Sequence, residues 1–452
     1  MDITKLKRIY FIGIGGIGMS ALARFFKERG VMVLGYDLTQ TDLTRTLQEE
    51  GMQIAFEDEV TSVDRAAELV VYTPAIPASN KIISWYREHN YPVFKRSDVL
   101  QWISESLFAV TVAGTHGKTT ISTMTAYLLR ETGVGCNAFL GGIAVNYNKN
   151  YWSDDNNVTV IEADEYDRSF LKLFPDVAVL TAMDADHLDI YGTKEEVEKA
   201  FIQYTHNIKP GGTLIAKHGL HRFADLKADK VISYSLQNDA ADVYADNIIQ
   251  HNGTYSFDVS GPGWRIEGIH LPLGGMHNVE NAVAAIAVTQ VLQANPESVK
   301  RALKEFKGIR RRFEYVVRDT QKVYIDDYAH HPEELASLIR SAKTLFPRLR
   351  CVVAFQPHLY SRTRDFAEGF ADSLALADEV ILLDIYPARE MPIEGVSSKM
   401  IAEKIVNCPV TILSKEGLLE YVKAAPLELF ITAGAGDIDK LVQPIKELIL
   451  EK

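Results

Sequence analysis

The apolar run Phe108–Ala113 enters Gly114-Thr115-His116-Gly117-Lys118-Thr119, and a helical pattern over 121–131 follows at once. A strand that ends in a glycine-bearing turn and reverses into a helix narrows the choice of fold sharply. Parallel strands need a crossover to reach their neighbours, and such a helix supplies it. The pattern predicts an open α/β sheet whose ligands collect at the carboxyl ends of the strands. Glycines let the backbone N–H groups of the turn face an anion, the lysine reaches β and γ phosphate oxygens, and the threonine hydroxyl can ligate Mg2+. The spacing between the glycines is shorter than in the common phosphate loop, so a plain strand-to-helix turn with a surface lysine remains open at this point.

The same alternation governs the rest of the chain. Residues 8–12, 20–29, 31–36, 43–50 and 69–72 read strand, helix, strand, helix, strand. Further strands are expected at 158–162, 177–181, 213–216 and 231–234, hairpins over 241–270, and a long helix from 277 to 293. A third α/β alternation runs from 323–326 through helices at 332–345 and 364–376 to 429–432. A chain of 452 residues exceeds what one core supports. Three domains are therefore expected: 1–104, 105–309 and 310–452.

The net charge of −12, without a long Lys/Arg run, excludes a nucleic-acid-binding face. No eighteen-residue apolar stretch is present, and Met1-Asp2-Ile3-Thr4-Lys5 leads straight into a strand rather than an apolar leader, so no membrane association and a cytoplasmic location are expected. Cys136, Cys351 and Cys408 have no metal-ligand spacing and read as buried, inert thiols.

Several motifs fall at predicted strand ends. Gly13-Ile14-Gly15-Gly16-Ile17-Gly18, with Asp37 after the next strand, fits a dinucleotide fingerprint; physically it supports a pyrophosphate at a helix N-terminus, whichever molecule carries it. Glu162-Ala163-Asp164-Glu165-Tyr166-Asp167 is either a metal-binding turn beside Thr119 or a solvated acidic turn. Asp184-Ala185-Asp186-His187-Leu188-Asp189 sets a histidine among carboxylates, as a metal ligand or in ion pairs. His277-Asn278-Val279-Glu280-Asn281 opens a helix, where an amide can meet a purine or ribose or act as an N-cap. Arg310-Arg311-Arg312 concentrates cation for phosphates or forms a solvated face. Asp326-Asp327-Tyr328-Ala329-His330-His331-Pro332 and Gln356-Pro357-His358-Leu359-Tyr360-Ser361-Arg362 end two strands of one sheet, where an arginine can clamp a carboxylate.

Taken in order along nearly the whole chain, these motifs, closing with Gly434-Ala435-Gly436-Asp437, resemble the Mur ligase family, and within it the branch that adds L-alanine to UDP-N-acetylmuramate. The resemblance implies a three-domain architecture: a Rossmann-like N-terminal domain for the UDP-sugar, a central P-loop ATPase domain, and a Rossmann-like C-terminal domain that helps bind the amino acid. By resemblance, Gly15, Gly16, Ile17, Gly18 and Asp37 hold the UDP-sugar. Gly114, Thr115, His116, Gly117, Lys118, Thr119 and Thr120 cradle ATP, and Thr119, Glu162 and His187 hold Mg2+. Asn278, Asn281, Arg312 and Asp327 contact ATP, while Tyr328, His330 and Arg362 surround the acyl acceptor and alanine. Lys118, His187, His330 and Arg362 are the expected catalytic set. A monomer or weak homodimer is expected.

Three departures stand out: Ala182 where an asparagine is expected, Leu359 where relatives carry arginine, and Ala200-Phe201-Ile202 where many family members place a modified lysine. The last suits the alanine-adding branch. The expected rivals are a ligase that attaches a whole tripeptide to the same UDP-sugar, a nicotinamide dehydrogenase built on the first glycine loop, and a non-catalytic nucleotide sensor.

Overall fold

The computed structural model describes residues 3–184, 188–319, 321–388 and 390–452. The first sheet has five parallel strands in the order Gln53–Ala55, Met32–Tyr36, Arg8–Ile12, Leu69–Tyr72, Val93–Lys95. The first strand in the chain lies in the middle, so the connections diverge at its carboxyl end and open a crevice there. Tyr10, Phe11 and Ile12 are buried, as a strand covered on both faces requires.

The second sheet has ten strands. Phe108–Ala113 lies between Val177–Leu180 and Val158–Glu162, parallel to both. Thr213–Lys217 and Lys230–Ser235 extend one side. Beyond them come Val243–His251, Thr254–Gly261 and Trp264–Leu271, joined by two-residue turns where hairpins are expected. On the other side lie Asn137–Ala144 and Lys149–Trp152, an antiparallel pair that hydrophobic alternation had not singled out. The long helix runs Met276–Val291, close to its expected span.

The third sheet places Val323–Asp327, Leu429–Ala433, Cys351–Phe355, Glu379–Leu382 and Val410–Ile412 in parallel, with Glu314–Arg318 antiparallel at one edge. The expected helix over 364–376 is two pieces, Tyr360–Asp365 and Ala367–Leu374, because Phe366 leaves helical geometry at φ −116°. Helix ends carry the expected devices. Thr41 caps Asp42–Glu49 through the Thr44 amide at 3.2 Å, and Pro332 opens its helix behind the capping residue His331.

By Cα proximity the chain forms two compact units: residues 1–246, 258–267 and 280–303, and residues 247–257, 268–279 and 304–452. Cys136 and Cys351 are buried as expected, whereas Cys408 is half-exposed at the end of a connecting loop. None of the helices of the described residues is long and apolar enough to cross a membrane.

Candidate active site

The glycine loop after Arg8–Ile12 is shaped by what surrounds it. Gly13 turns the chain with φ +84°, and a methyl group there would meet Thr73 at 2.8 Å. Gly16 caps the helix Ile17–Glu28, leaving first-turn N–H groups for an anion. A methyl group at Gly18 would overlap the Arg96 guanidinium, which therefore lies against the loop. Arg96 carries no motif and was missed in the sequence. Asp37 Oδ2 accepts the Gly15 N–H at 2.8 Å, and its Oδ1 accepts that of Thr39 at 3.1 Å. The carboxylate that a dinucleotide site would aim at a ribose here braces the loop itself.

The second loop follows Phe108–Ala113. Gly114 and Gly117 take φ +131° and +80°, and Gly117 caps the helix Lys118–Glu131. Side chains at either position would be strained and obstructed: at Gly114 by Thr181 and Ala182, at Gly117 by Asn281 Oδ1 at 2.8 Å. Ala182 supports the loop through its backbone, its carbonyl accepting the Thr115 N–H at 3.3 Å. His116 points outward, 3.5 Å from Asp184, and Thr115 Oγ1 accepts the Asp184 amide. Thr120 occupies the first turn of the helix.

Lys118 curls back over the loop. Its ammonium donates to Gly114 O and to Glu165 Oε1, both at 2.8 Å. Glu165 is almost wholly buried, and burial raises its pKa against the pull of Lys118. Thr119 Oγ1 donates to Glu162 Oε1 at 2.9 Å, and Glu162 Oε2 accepts the Gly141 N–H at 3.1 Å. Burial also pushes the Glu162 carboxyl upward, against Lys118 and the Thr119 hydrogen bond. A half-buried carboxylate beside a hydroxyl is a hard, all-oxygen donor pair that suits a magnesium-sized cation, whose charge would offset the desolvation. Among the described residues no group of three or more acidic, histidine or cysteine side chains assembles around it. The expected ligand His187 lies outside the described residues.

In the other unit, Asn278 sits inside the first turn of its helix, and its Nδ2 donates to Gly274 O at 2.7 Å, so it does not act as the N-cap. Of the three consecutive arginines, Arg311 is structural: its guanidinium reaches Gly434 O and Gly436 O, lies 3.4 Å from Asp326 and stacks toward Tyr328. Arg312 is exposed over the same ring, 5.7 Å from its centroid. Asp327 accepts the Phe313 N–H at 2.6 Å and the Ala329 N–H at 2.7 Å. It thereby fixes a loop in which Arg311 and Phe313 both hold left-handed backbone, φ +61° and +47°.

His330 Nδ1 lies 2.9 Å from Tyr328 O. Burial lowers its pKa, against Glu334 and the Tyr328 carbonyl, with Arg362 and Arg312 acting in the same direction as burial. Arg362 is half-exposed on the short helix Tyr360–Asp365 and makes no ion pair among the described residues. That helix is launched by Leu359, whose φ of +70° is unusual for a residue with a side chain. The turn is secured by Leu359 N–H to Tyr386 O at 2.9 Å and by Thr363 Oγ1 to Leu359 O at 2.8 Å. Gln356, unremarked in the sequence beyond its motif, joins Asp437 and the Ile438 amide, both at 2.9 Å. One unit thus gathers Lys118, Thr119, Glu162 and Asn281; the other gathers Arg312, Asp327, Tyr328, His330 and Arg362.

Comparison with known proteins covers the chain from end to end. Family models described as Mur ligase family, catalytic domain, Mur ligase middle domain, and Mur ligase, glutamate ligase domain match residues 8–106, 112–289 and 311–436. UDP-N-acetylmuramate–L-alanine ligase of Parabacteroides distasonis is 48% identical, with 100% of this chain and 99% of that protein covered. The protein of the same name from Cytophaga hutchinsonii is 44% identical over 99% and 98%. Among solved structures, UDP-N-acetylmuramate-alanine ligase from Thermotoga maritima aligns with TM-score 0.82 and 30% identity, covering 98% and 99% of the two chains. A murein peptide ligase from Psychrobacter arcticus shares the fold, with TM-score 0.70 and 22% identity over 98% of both chains.

Proposed function

The chain belongs to the Mur ligase family, and we infer that it joins L-alanine to the lactyl carboxylate of UDP-N-acetylmuramate at the expense of ATP. The observation that carries this reading is the similarity, over 98% or more of both chains, to proteins named as L-alanine ligases. In the reaction, a lactyl carboxylate oxygen attacks the γ phosphorus of ATP and the bond to the β-bridging oxygen breaks, giving an acyl phosphate and ADP. The alanine amine then attacks the acyl carbon, and inorganic phosphate leaves as the amide forms.

In this reading the protein contributes position and charge rather than covalent chemistry. Gly15, Gly16, Ile17 and Gly18, with Arg96 against them, hold the UDP diphosphate at a helix N-terminus. Residues Gly114 to Thr120 hold the ATP phosphates, and Lys118 moves from its carboxylate toward the transferred group. Thr119 and Glu162, with His187, would hold Mg2+, which supplies charge neutralisation at the phosphates when bound. Asn278, Asn281, Arg312 and Asp327 serve the nucleotide directly or by fixing its loops. Arg362, which makes no ion pair among the described residues, receives a substrate carboxylate, and His330 accepts a proton from the incoming amine. Residues 1–104, 105–309 and 310–452 form the UDP-sugar, ATP and amino-acid domains of a cytoplasmic monomer or weak homodimer.

The test is phosphate release from ATP and UDP-N-acetylmuramate with each candidate amine supplied in turn. Release that depends on L-alanine, with a matching amount of UDP-N-acetylmuramoyl-L-alanine, is expected. Release driven instead by the murein tripeptide assigns the recycling reaction, and ATP binding with no amine-dependent release assigns a sensor.

A further inference from the structure

Ser20 and Arg24 lie one turn apart on the helix Ile17–Glu28, both buried, and the site described above uses neither. Their partner is Asn150, about 130 residues away on the strand Lys149–Trp152 and itself 1% exposed. The Asn150 Nδ2 donates to Ile17 O at 2.5 Å and to Ser20 Oγ at 3.2 Å, while its Oδ1 accepts from Arg24 Nη1 at 2.7 Å. Arg24 Nε completes the set on Glu50 at 2.8 Å. Both N–H donors of the carboxamide and its oxygen are engaged.

Adhesion alone does not call for such a network. Phe25 already packs against Phe139 and Tyr151, with ring centroids 5.2 and 6.5 Å apart, and an apolar contact hides surface at less desolvation cost than a carboxamide and a guanidinium. A satisfied hydrogen-bond set adds direction: it fixes the rotation and axial position of the helix against the strand, which the tilted and edge-on ring contacts leave soft. The group it fixes is the carbonyl of Ile17, in the first turn of the helix whose N-terminus closes the Gly13–Gly18 loop. The partner strand Asn137–Ala144 of the same hairpin carries Gly141, whose N–H braces Glu162, the strand-end carboxylate that accepts from Thr119 beside the other loop.

We propose that Asn150 is a positioning residue for the UDP-sugar, holding the first helical turn of the diphosphate loop in register with the hairpin that also braces the ATP loop. The inference rests on the reading of the Gly15–Gly18 loop as the UDP-sugar cradle. Asn150→Asp is the informative variant, because it keeps an acceptor for Arg24 and removes both N–H donors. Its KM for UDP-N-acetylmuramate is expected to rise about tenfold or more, the loss of roughly one directed hydrogen bond, with the ATP KM within about twofold of wild type. Asn150→Leu, which also removes the acceptor of Arg24 Nη1, should shift the UDP-sugar KM further and lower the unfolding midpoint. Ser20→Ala, which leaves Ile17 O engaged, should shift it only about twofold to threefold. A normal UDP-sugar KM in Asn150→Asp overturns the proposal, as does an equal rise in both KM values with a fallen midpoint, the signature of a merely structural residue. Calorimetric titration of UDP-N-acetylmuramate into wild type and Gly18→Ala separates the two levels. If wild type does not bind it, or Gly18→Ala binds it normally, the cradle reading falls and the inference with it. If both behave as expected and Asn150→Asp still binds normally, only the positioning role falls.

Discussion

Lys118 Nζ and Glu165 Oε1 stand 2.8 Å apart, with the carboxylate 1% exposed and the ammonium half-buried above the loop. The lysine is thus already desolvated and aimed before a nucleotide arrives, and the phosphates need only outbid one carboxylate. Lys118→Ala should reduce turnover by about a thousandfold or more while UDP-sugar affinity stays within about threefold. Glu165→Gln keeps an acceptor but loses its charge, so kcat/KM for ATP should fall about tenfold. Steady-state kinetics with each substrate varied, together with calorimetry for the UDP-sugar, decide both; unchanged turnover in Lys118→Ala would sink the assignment of this loop.

In the proposed reading, the Thr119 hydroxyl and the Glu162 carboxylate, 2.9 Å apart, are the oxygen pair that would hold Mg2+. Thr119→Val keeps the shape and deletes the hydroxyl, and the Mg2+ concentration for half-maximal rate should rise about tenfold, whereas Thr119→Ser should behave like wild type. Activity is read across a Mg2+ titration at saturating ATP.

A Cβ at Gly18 would displace the Arg96 guanidinium that lies against the loop. Gly18→Ala should weaken UDP-N-acetylmuramate by about tenfold or more and leave the ATP KM nearly unchanged, while Arg96→Ala in the wild-type background weakens it by removing the cation. Equal loss for both nucleotides would mean general damage to the fold.

Asp326 is buried beside Arg311 and hydrogen-bonded by Thr432 at 2.6 Å, and burial lifts its pKa from 3.8 to about 7. The folded state therefore holds a proton that the unfolded chain has released between these values. Its contribution is full below the unfolded pKa and is lost as pH rises through the folded one. Asp326→Asn should flatten the decline in unfolding free energy over that interval by up to about one proton's worth of slope. Urea unfolding at stepped pH measures the difference, and parallel slopes for the two proteins would count against it.

Asp327 holds two backbone amides of a loop with two left-handed residues. Asp327→Ala should cost about 2–4 kcal/mol of stability, and Asp327→Asn, which retains one acceptor, less. Thermal unfolding gives the ranking; an Asp327→Ala protein as stable as wild type would show that the loop holds itself.

The alternation of strands and helices, and the two glycine loops, were legible because they are local: a period of two, a period of 3.6 and a residue without Cβ write themselves into a few consecutive positions. Lys118, Thr119 and Glu162 stood out for the same reason, each at a strand end or helix start, and the structure brings Thr119 and Glu162 together. What escaped was paired across long stretches of chain. Arg96 meets Gly18, Gly141 meets Glu162 and Asn150 meets Ile17, yet none of Arg96, Gly141 or Asn150 stands in a pattern. Asn278 looked like a cap because its type favours caps, but the helix begins two residues earlier and the amide bonds backward. The strands Asn137–Ala144 and Lys149–Trp152 were hidden by their glycines and polar residues and by burial at consecutive positions, which leaves no period-two alternation to read.

Leu359 launches the helix bearing Arg362 from a backbone conformation that costs a residue with Cβ about 1–3 kcal/mol. Glycine would relieve that cost in the folded state while freeing the turn that aims the arginine. A search for heat-resistant variants that scored survival alone would thus be drawn to this position, and would select molecules that melt later and work more slowly.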